Sequence, residues 1–473
     1  MVRDSVETTR STYGMTLIGV LCVFTTGCVP AQPVRPRLAE RPATPSPKAI
    51  PATAAVSAVE PGTLDELVQI AAEHHPDIRA ARATVEAARG RLIQAGLYPN
   101  PSFGPNFAQL GDNANRLGQP GARWTQTIVT NGKLRIAKDG AARAVEAADW
   151  QAVTKWHDMV ARVRLAYFET LLARRELATL GEIGDIADKI LNTAERLEKE
   201  GVGSRPDVLR ARVEAEQYAL KREVAARRVE SAEQNLLTAL GRPTLGVDRF
   251  RLNPKDMEKP PPAFDWPRML ACVRETSSEM HEARSLIAEQ ERLVAKAKAE
   301  VMPNVTLTAI PSYESASREL RAEIIVQAPI PLFDRNQGNI HAAESELARA
   351  IAVEKQIELR LIERLTNAYQ RYLAALKQTE AYKKSILPHA EASRQLIEAG
   401  YRAGDKKYDY SALLQAQQAL AQARLGQTQA LGELWRAVVD LAGILQQEHL
   451  PLGCGIREQQ GVTATFGTPT VSE

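Results

Sequence analysis

The residues best suited to chemistry in this sequence are few and widely separated. Its four cysteines are Cys22, Cys28, Cys272 and Cys454. None of them forms the CxxC spacing of a zinc or redox site. The seven histidines are equally dispersed, and the adjacent pair His74 and His75 cannot share one helical face. The sequence therefore predicts no metal site, no cofactor and no catalytic residue.

One cysteine, Cys28, lies in a sequence context that predicts a covalent modification of its thiol. An apolar run of about ten residues, 15–24, has the length of a secretory signal core and is too short to span a bilayer. It ends in residues 25–28 (TTGC), which resemble a bacterial lipobox with Thr25 in place of the usual leucine. In that motif the cysteine thiol receives a diacylglycerol. We expect a signal peptide over residues 1–27 and lipidation of Cys28; the alternative is an ordinary signal peptide cut nearby.

Composition indicates long helices that pack on one another. Hydrophobic residues make up 44% of the 473 residues, but aromatic residues only 5%. The formal net charge of +3 is close to balance, so no nucleic-acid partner is expected. Residues 28–62 are rich in Pro and Ala and predict an extended tether behind the lipid anchor. Residues 449–473 are rich in Gly and Thr and predict a disordered tail.

The sequence between these ends contains the same order of segments twice. Residues 74–82 resemble 276–284, and an apolar-Pro-Asn signature at 98–100 recurs at 302–304. A period of roughly 200 residues is too long for a solenoid repeat and indicates a duplication. The predicted organisation is a first repeat over 63–246, a linker over 247–266 and a second repeat over 267–448.

Each repeat predicts a strand pair directly after its Pro-Asn signature. Apolar and polar residues alternate in 304–311 and 321–327, which gives each strand one apolar and one polar face. Residues 102–110 and 121–130 take the same places in the first repeat, where Pro105 weakens the pattern. Strands of about ten residues can cross a bilayer at a tilt. The predicted hairpins span about 101–130 and about 304–330.

Long helical stretches follow both hairpins. Residues 133–200 contain no proline and would reach about 100 Å as one helix. The counterpart, 339–400, contains Pro388, where we expect a bend. Each stretch ends at a Gly-rich turn, and the return helices are predicted at about 207–240 and about 410–446.

These elements restrict the possible architecture. Four strands cannot close into a barrel, and an open sheet edge cannot face lipid, so several chains must share one barrel. Three chains give twelve strands, which is wide enough for a lumen. The helices contain no run of about 18 apolar residues and must project into water. The predicted fold is mainly α with a small transmembrane β part: a trimeric twelve-stranded β-barrel, four strands per chain, continued by a long α-helical barrel.

The chain resembles the TolC-like outer-membrane factors over nearly all of residues 63–446. The matching segments are 97–103 (LYPNPSF), 126–135 (QTIVTNGKLR) and 401–404 (YRAG) leading into 413–417 (LLQAQ). Residues 329–340 (PIPLFDRNQGNI) are similar to the strand-to-helix junction of the branch that serves cobalt–zinc–cadmium and copper exporters.

The resemblance implies a passive exit duct in the bacterial outer membrane, with most of the chain in the periplasm. Its implied partners are two further copies of the chain, a periplasmic membrane-fusion adaptor, an inner-membrane pump of the RND or ABC type, and outer-membrane lipid. The implied substrates are heavy-metal cations or small toxic compounds. No residue is needed for catalysis.

The resemblance also implies two functional regions. The barrel-to-helix junction residues are Asn131, Gly132, Lys133, Pro331, Phe333, Asp334 and Gly338. An aperture forms where the two Gly-rich turns meet at the periplasmic tip. There Asp207 matches the family's acidic position, and Tyr401 and Lys406 match an aromatic and a basic position used in gate contacts.

The family's acidic ring is missing from the second turn, where its positions are Ala412 and Gln415. Cation selectivity at the aperture therefore does not follow from the resemblance. Asp405 and Asp409 lie close by and offer negative charge instead, because three copies of a carboxylate around an axis attract cations. The alternative is that both are solvated turn residues.

Three other functions compete with efflux. The exit duct of a type I protein-secretion system belongs to the same family. A periplasmic helical scaffold without a pore would need no strands, and the alternating segments argue against it. An enzyme is the least favoured class, because the sequence has no nucleophile–base constellation or phosphate loop.

Overall fold

The structure is a computed structural model that describes residues 63–109, 118–201, 203–244, 252–314, 317–403 and 407–447. The predictions for the signal peptide, Cys28, the tether and the tail lie outside the described residues.

The first half begins with two helices, continues with a hairpin and ends with a pair of long helices. A capping box between Thr63 and Glu66 starts the first helix. His75 separates it from the second, which it caps by accepting a hydrogen bond from the backbone N–H of Asp77 at 3.2 Å. The elements are α1 (Leu64–His74), α2 (Pro76–Ala95), β1 (Ser102–Ala108), β2 (Gln119–Ile128), α3 (Lys133–Lys199) and α4 (Arg205–Ala239).

The second half repeats this order after a short 3₁₀ helix, Pro254–Glu258. Its elements are α5 (Trp266–Thr276), α6 (Ser278–Ala299), β3 (Val305–Glu314), β4 (Glu319–Gln327), α7 (Gln337–Ala381), a π-helical turn (Tyr382–Ile386), α8 (Leu387–Arg402) and α9 (Tyr410–Ile444). Corresponding helices match closely in length: α1 and α5 each have 11 residues, and α4 and α9 each have 35.

The two long stretches differ in continuity. Helix α3 is unbroken over 67 residues, as the absence of proline predicts, and is about 100 Å long. Its counterpart is interrupted by the π-helical turn that precedes Pro388. The ring of Tyr382, the first residue of that turn, lies against Gly426 of α9, where a Cβ atom would come within 2.4 Å of the tyrosine oxygen. Among the described residues, no helix combines the length and the apolar character needed to cross a membrane.

The four strands form one antiparallel sheet in the order β1-β2-β3-β4. The two halves of the chain are joined inside this sheet, because β2 pairs with β3 and places Trp124 opposite Ala309. Strand β2 ends at Ile128, two residues before the predicted end. The chain leaves the ladder there because the Thr130 hydroxyl donates to the Pro303 carbonyl oxygen at 2.6 Å and Asn131 adopts a left-handed conformation.

The main core lies where helices of both halves meet the 3₁₀ helix. Phe168 of α3 stacks on Trp435 of α9 with ring centroids 4.4 Å apart. The Trp435 indole N–H donates to the Met257 carbonyl oxygen at 3.0 Å, and the Tyr167 hydroxyl donates to Asp256 Oδ2 at 2.5 Å. These contacts bind the 3₁₀ helix to both long helical hairpins, because large buried aromatic groups find partners for their polar atoms.

Candidate functional site

One face of the sheet is apolar across all four strands. The pairing places Phe103 opposite Trp124, Trp124 opposite Ala309, and Ala309 opposite Ile324. Next to this row, Leu307 and Val326 continue the apolar surface, and Gln126 of β2 is a polar member of the same row. Phe103 is 77% exposed and Ile324 71% exposed in the single chain. A broad exposed apolar surface of this kind marks an interaction with lipid or with another protein.

The opposite face of the sheet is mostly polar. The Thr125 and Thr308 hydroxyls are 3.3 Å apart across β2 and β3. Near the β3–β4 turn, the Arg321 guanidinium lies 2.5 Å from Glu314. Glu323 is on the same face, because strand residues two positions apart point the same way. The sheet thus separates an apolar from a polar side, as the alternation in the sequence predicts.

Both outer edges of the sheet are open. β1 pairs only with β2 and β4 only with β3 within the described residues. Every residue of β4 is exposed to solvent. Unpaired backbone groups at such edges are templates for pairing with another chain.

At the first barrel-to-helix junction, Asn131 and Lys133 attach the start of α3 to the other half of the chain. Asn131 has φ 57° and donates from its side chain to the Ala299 carbonyl oxygen at 3.1 Å. Gly132 follows with φ 64°, a conformation that favours glycine. The Lys133 ammonium donates to Asn304 Oδ1 at 2.7 Å.

The second junction repeats the first with one residue that the prediction omitted. Asn336 has φ 58° and donates from its side chain to the Ala297 carbonyl oxygen at 2.8 Å. Asp334 holds this turn by accepting from the Asn336 backbone N–H at 2.9 Å. Two asparagines from different halves therefore bind the last turn of α6. The signal in the sequence was an Asn one or two residues before a long helix in both repeats.

The remaining junction residues make few contacts. Phe333 is 92% exposed, and Pro331 is half-buried. Gly338 lies in the first turn of α7 with open space around it. Phe333 and its neighbour Leu332, which is 64% exposed, are therefore two exposed apolar side chains between the strands and the helices.

At the tip, Asp207 lies in the first turn of α4 and has two partners. The Ser204 hydroxyl donates to its Oδ2 atom at 2.6 Å. The Arg210 guanidinium lies 3.6 Å from its Oδ1 atom. The preceding turn relies on Gly201, which has φ 75°.

The second turn brings Tyr401 close to Tyr410, with ring centroids 6.5 Å apart. Asp409 accepts a hydrogen bond from the Ala412 backbone N–H at 2.8 Å and so caps α9. The predicted tip residues Asp405 and Lys406 lie outside the described residues.

The charge of Asp207 in the first turn affects the pKa values of two tyrosines in the second turn. Burial raises the pKa of Tyr401, and the negative charge of Asp207 raises it further. Burial and then the same carboxylate raise the pKa of Tyr410 to about 12. The structure therefore groups Asp207 with both tyrosines. No pattern in the sequence distinguished Tyr410.

The side chains of types that bind metals or act in catalysis have structural contacts. His74 donates from Nδ1 to the Ile70 carbonyl oxygen at 2.9 Å, and His281 stacks on Trp150 with centroids 4.4 Å apart. The Cys272 thiol lies 3.4 Å from the Thr276 hydroxyl. In the part of the chain that the structure describes, no three His, Cys, Asp or Glu side chains are grouped to hold a metal ion.

Comparison with known families gives this geometry a context. Residues 67–242 and 272–446 match the family described as outer membrane efflux protein. The chain belongs to the outer membrane efflux protein family. The two matched regions coincide with the two halves of the fold, and an outer-membrane location agrees with the two-faced sheet.

Two relatives and one solved structure extend the comparison. The efflux protein is 25% identical over 388 residues to the cobalt-zinc-cadmium resistance protein CzcC of Cupriavidus metallidurans, covering 82% of this chain and 91% of the relative. It is 24% identical over 422 residues to the pyoverdine export outer membrane protein OpmQ of Pseudomonas putida, covering 79% and 85%. The outer-membrane channel OprN superposes with a TM-score of 0.68 at 20% identity, covering 81% of this chain and 89% of OprN. The predicted fold class, long helices with a small sheet, is confirmed.

Proposed function

We propose that three copies of this efflux protein form a passive exit duct through the outer membrane. The observation that carries the proposal is the two-faced four-stranded sheet with both edges open. Three such sheets joined edge to edge give twelve strands with no free edge, which lipid requires. The apolar face then contacts lipid, and the polar face lines the lumen.

The helices supply a second surface for this assembly. Leu209, Val213, Leu220 and Val224 of α4 are 48–63% exposed and lie within an arc of about 60° on the helix. The buried residues of α4, among them Tyr218, face the opposite way, towards α3. A narrow apolar stripe on an exposed helix is the pattern of a helix that packs against another. In the proposed trimer a neighbouring copy covers this stripe.

The duct works within a tripartite system, with a periplasmic membrane-fusion adaptor and an inner-membrane pump of the RND or ABC type. The adaptor meets the helical tip, and the pump supplies the energy. The proposed cargo is heavy-metal cations or small toxic compounds, supported by the likeness to CzcC and by residues 329–340. A pore that discriminates little among its substrates needs no metal ligands of its own.

The aperture of the duct is the cluster of Asp207, Tyr401 and Tyr410, where the two turns meet. Asp409 has a backbone partner, which favours a capping role over an electrostatic one. Asp405 and Lys406 are further candidates for gate contacts.

Planar-bilayer recording with purified full-length protein tests the function, with light scattering to give the number of chains. We expect a trimer whose conductance changes little with the identity of the cation. A monomer that produces no conductance would overturn the proposal.

The lipid anchor is proposed at Cys28. We expect the Cys28→Ala variant to lose metabolic labelling with palmitate, because the thiol is the acceptor. Unchanged labelling of this variant would exclude Cys28 as the lipidation site. Cys272→Ala is the matched control, since that thiol lies in helix α5 and keeps a neighbour in Thr276.

A further inference from the structure

A cavity of about 380 Å³ lies behind the tip, between α3, α8 and α9. This volume is in the range of small-molecule sites in proteins. Its apolar lining includes Ile186 and Ile190 of α3 and Leu413 of α9. Tyr401 and Tyr410 add two aromatic rings inclined at 62° to each other. The shape and lining suit a flat, partly apolar molecule.

Two buried polar atoms that belong to the lining residues have no hydrogen-bond partner within the described residues: the Tyr410 hydroxyl oxygen and Arg394 Nε. The Gln417 side chain also lines the cavity, and this residue is only 5% exposed. Its neighbour Gln418 does not line the cavity and donates to Glu214 Oε2 at 2.8 Å. A polar group that is buried without a partner is unfavourable, so the Tyr410 hydroxyl and the Arg394 Nε–H group favour a polar ligand that enters the cavity.

The charged residues of the lining have a positive excess. Lys189 and Arg394 contribute two positive charges, and Glu398 contributes one negative charge. Arg394 and Glu398 form an ion pair one turn apart on α8. A guanidinium has five N–H donors, and one carboxylate does not use them all. The lining therefore favours a ligand that carries a negative charge.

We propose that this cavity binds a small aromatic carboxylate, with its ring beside the two tyrosines, its polar edge at the Gln417 amide and its carboxylate near Arg394 and Lys189. Arg and Lys side chains form charge-assisted hydrogen bonds with carboxylates, which are stronger than neutral ones. A ligand in this position contacts α3, α8 and α9 together. It therefore opposes their separation and stabilises the closed tip; this second effect rests on the proposed function, whereas binding itself does not.

Isothermal titration calorimetry with the detergent-solubilised full-length protein tests binding. The probes are 2-naphthoate and its uncharged analogue 2-naphthamide. We expect saturable binding of 2-naphthoate and at least about tenfold weaker binding of 2-naphthamide, which corresponds to the loss of one charge-assisted contact. Absence of 2-naphthoate binding, or equal affinity for both probes, would overturn the proposal.

Variants locate the bound probe. Gln417→Leu and Arg394→Gln should each weaken 2-naphthoate binding about tenfold or more. Gln422→Leu is the matched control, because Gln422 is exposed on the same helix and does not line the cavity. Circular dichroism establishes that each variant is folded. Affinity unchanged in both cavity variants would overturn the site, and two independent variants guard against misfolding of either.

A conductance measurement separates this inference from the channel function. In planar bilayers, 2-naphthoate should lower the open probability of the wild type and leave the Gln417→Leu variant unaffected. Binding by calorimetry without any conductance in the absence of probe would contradict the channel and leave the site standing. Conductance without binding would contradict the site alone.

Discussion

Asp207 and Asp409 both stand at the start of a return helix, yet they make different contacts. Asp207 accepts from the Ser204 hydroxyl and pairs with Arg210, whereas Asp409 accepts from the backbone of α9. The sequence alone could not separate these roles, because an acidic residue is equally common as a helix cap and as a pore charge. The difference becomes visible only when the atoms that surround each carboxylate are known.

The first prediction concerns the Asp207 carboxylate. We expect Asp207→Asn to raise the leak conductance of the closed channel several-fold, because the amide keeps the shape of the side chain but loses the charge that pairs with Arg210. Planar-bilayer recording measures the effect. Asp188→Asn is the control, since Asp188 is an exposed carboxylate of α3. Equal leak in both variants would exclude Asp207 from closure.

The second prediction concerns the ionisation of Tyr410. Burial raises its pKa from 10.0 to about 12, so the folded state binds this proton more tightly than the unfolded state. The resulting stabilisation is complete below pH 10 and is lost as the pH rises from 10 to 12. A phenylalanine cannot ionise, so the Tm of Tyr410→Phe should fall less than that of the wild type over this window.

Melting curves followed by circular dichroism test the Tyr410 prediction. The other buried tyrosines are present in both proteins, so the difference in slope reports mainly Tyr410. Tyr98→Phe is the control, because Tyr98 is 68% exposed. Parallel pH profiles for the wild type and Tyr410→Phe would contradict the prediction.

At the scale of elements, helix ends and interruptions depend on single contacts. The patterns of proline, glycine and apolar residues predicted the long helices, their return helices and both hairpins. They did not predict that β2 would end at Ile128, because that end depends on the hydrogen bond between Thr130 and Pro303. Nor did they predict the π-helical turn, which lies just before Pro388 and packs against Gly426.

The third prediction concerns this turn. We expect Gly426→Ala to destabilise the protein by about 1–3 kcal/mol, because the new Cβ atom overlaps the Tyr382 ring. The double variant Gly426→Ala/Tyr382→Leu should recover part of the loss. Denaturant unfolding measures both. Gly90→Ala is the control: Gly90 lies in helix α2 with open space around it, and the change should stabilise by roughly 0.5–1 kcal/mol.

At the scale of the whole molecule, the duplication could be recognised in the sequence. For the aperture, only some of the residues could be predicted. The pairing of β2 with β3 was not predicted and is visible only in the structure. The position of Tyr410 beside Asp207 depends on how two distant turns approach each other. No local pattern encodes that approach.

The fourth prediction concerns the apolar stripe of α4. We expect Leu220→Lys to shift the protein from trimers towards monomers, because burial of an unpaired ammonium at a helix contact is unfavourable. Size-exclusion chromatography with light scattering measures the change. Ala219→Lys is the matched control, since Ala219 is exposed on another side of α4. Dissociation by both variants alike, or by neither, would exclude the stripe as a contact.

The pairing of β2 with β3 has a consequence for how the duct assembles. A closed ring built from six half-chains would have six seams between molecules and need five encounters, each losing translational and rotational freedom. In the proposed trimer, covalent linkage of the halves makes every second seam intramolecular, so three seams remain to be formed between molecules. Closure then depends on the third power of chain concentration, and each seam between chains occurs three times. A single substitution at β1 or β4 therefore alters all three seams between chains. On dilution, the whole ring should dissociate over a narrow range of protein concentration.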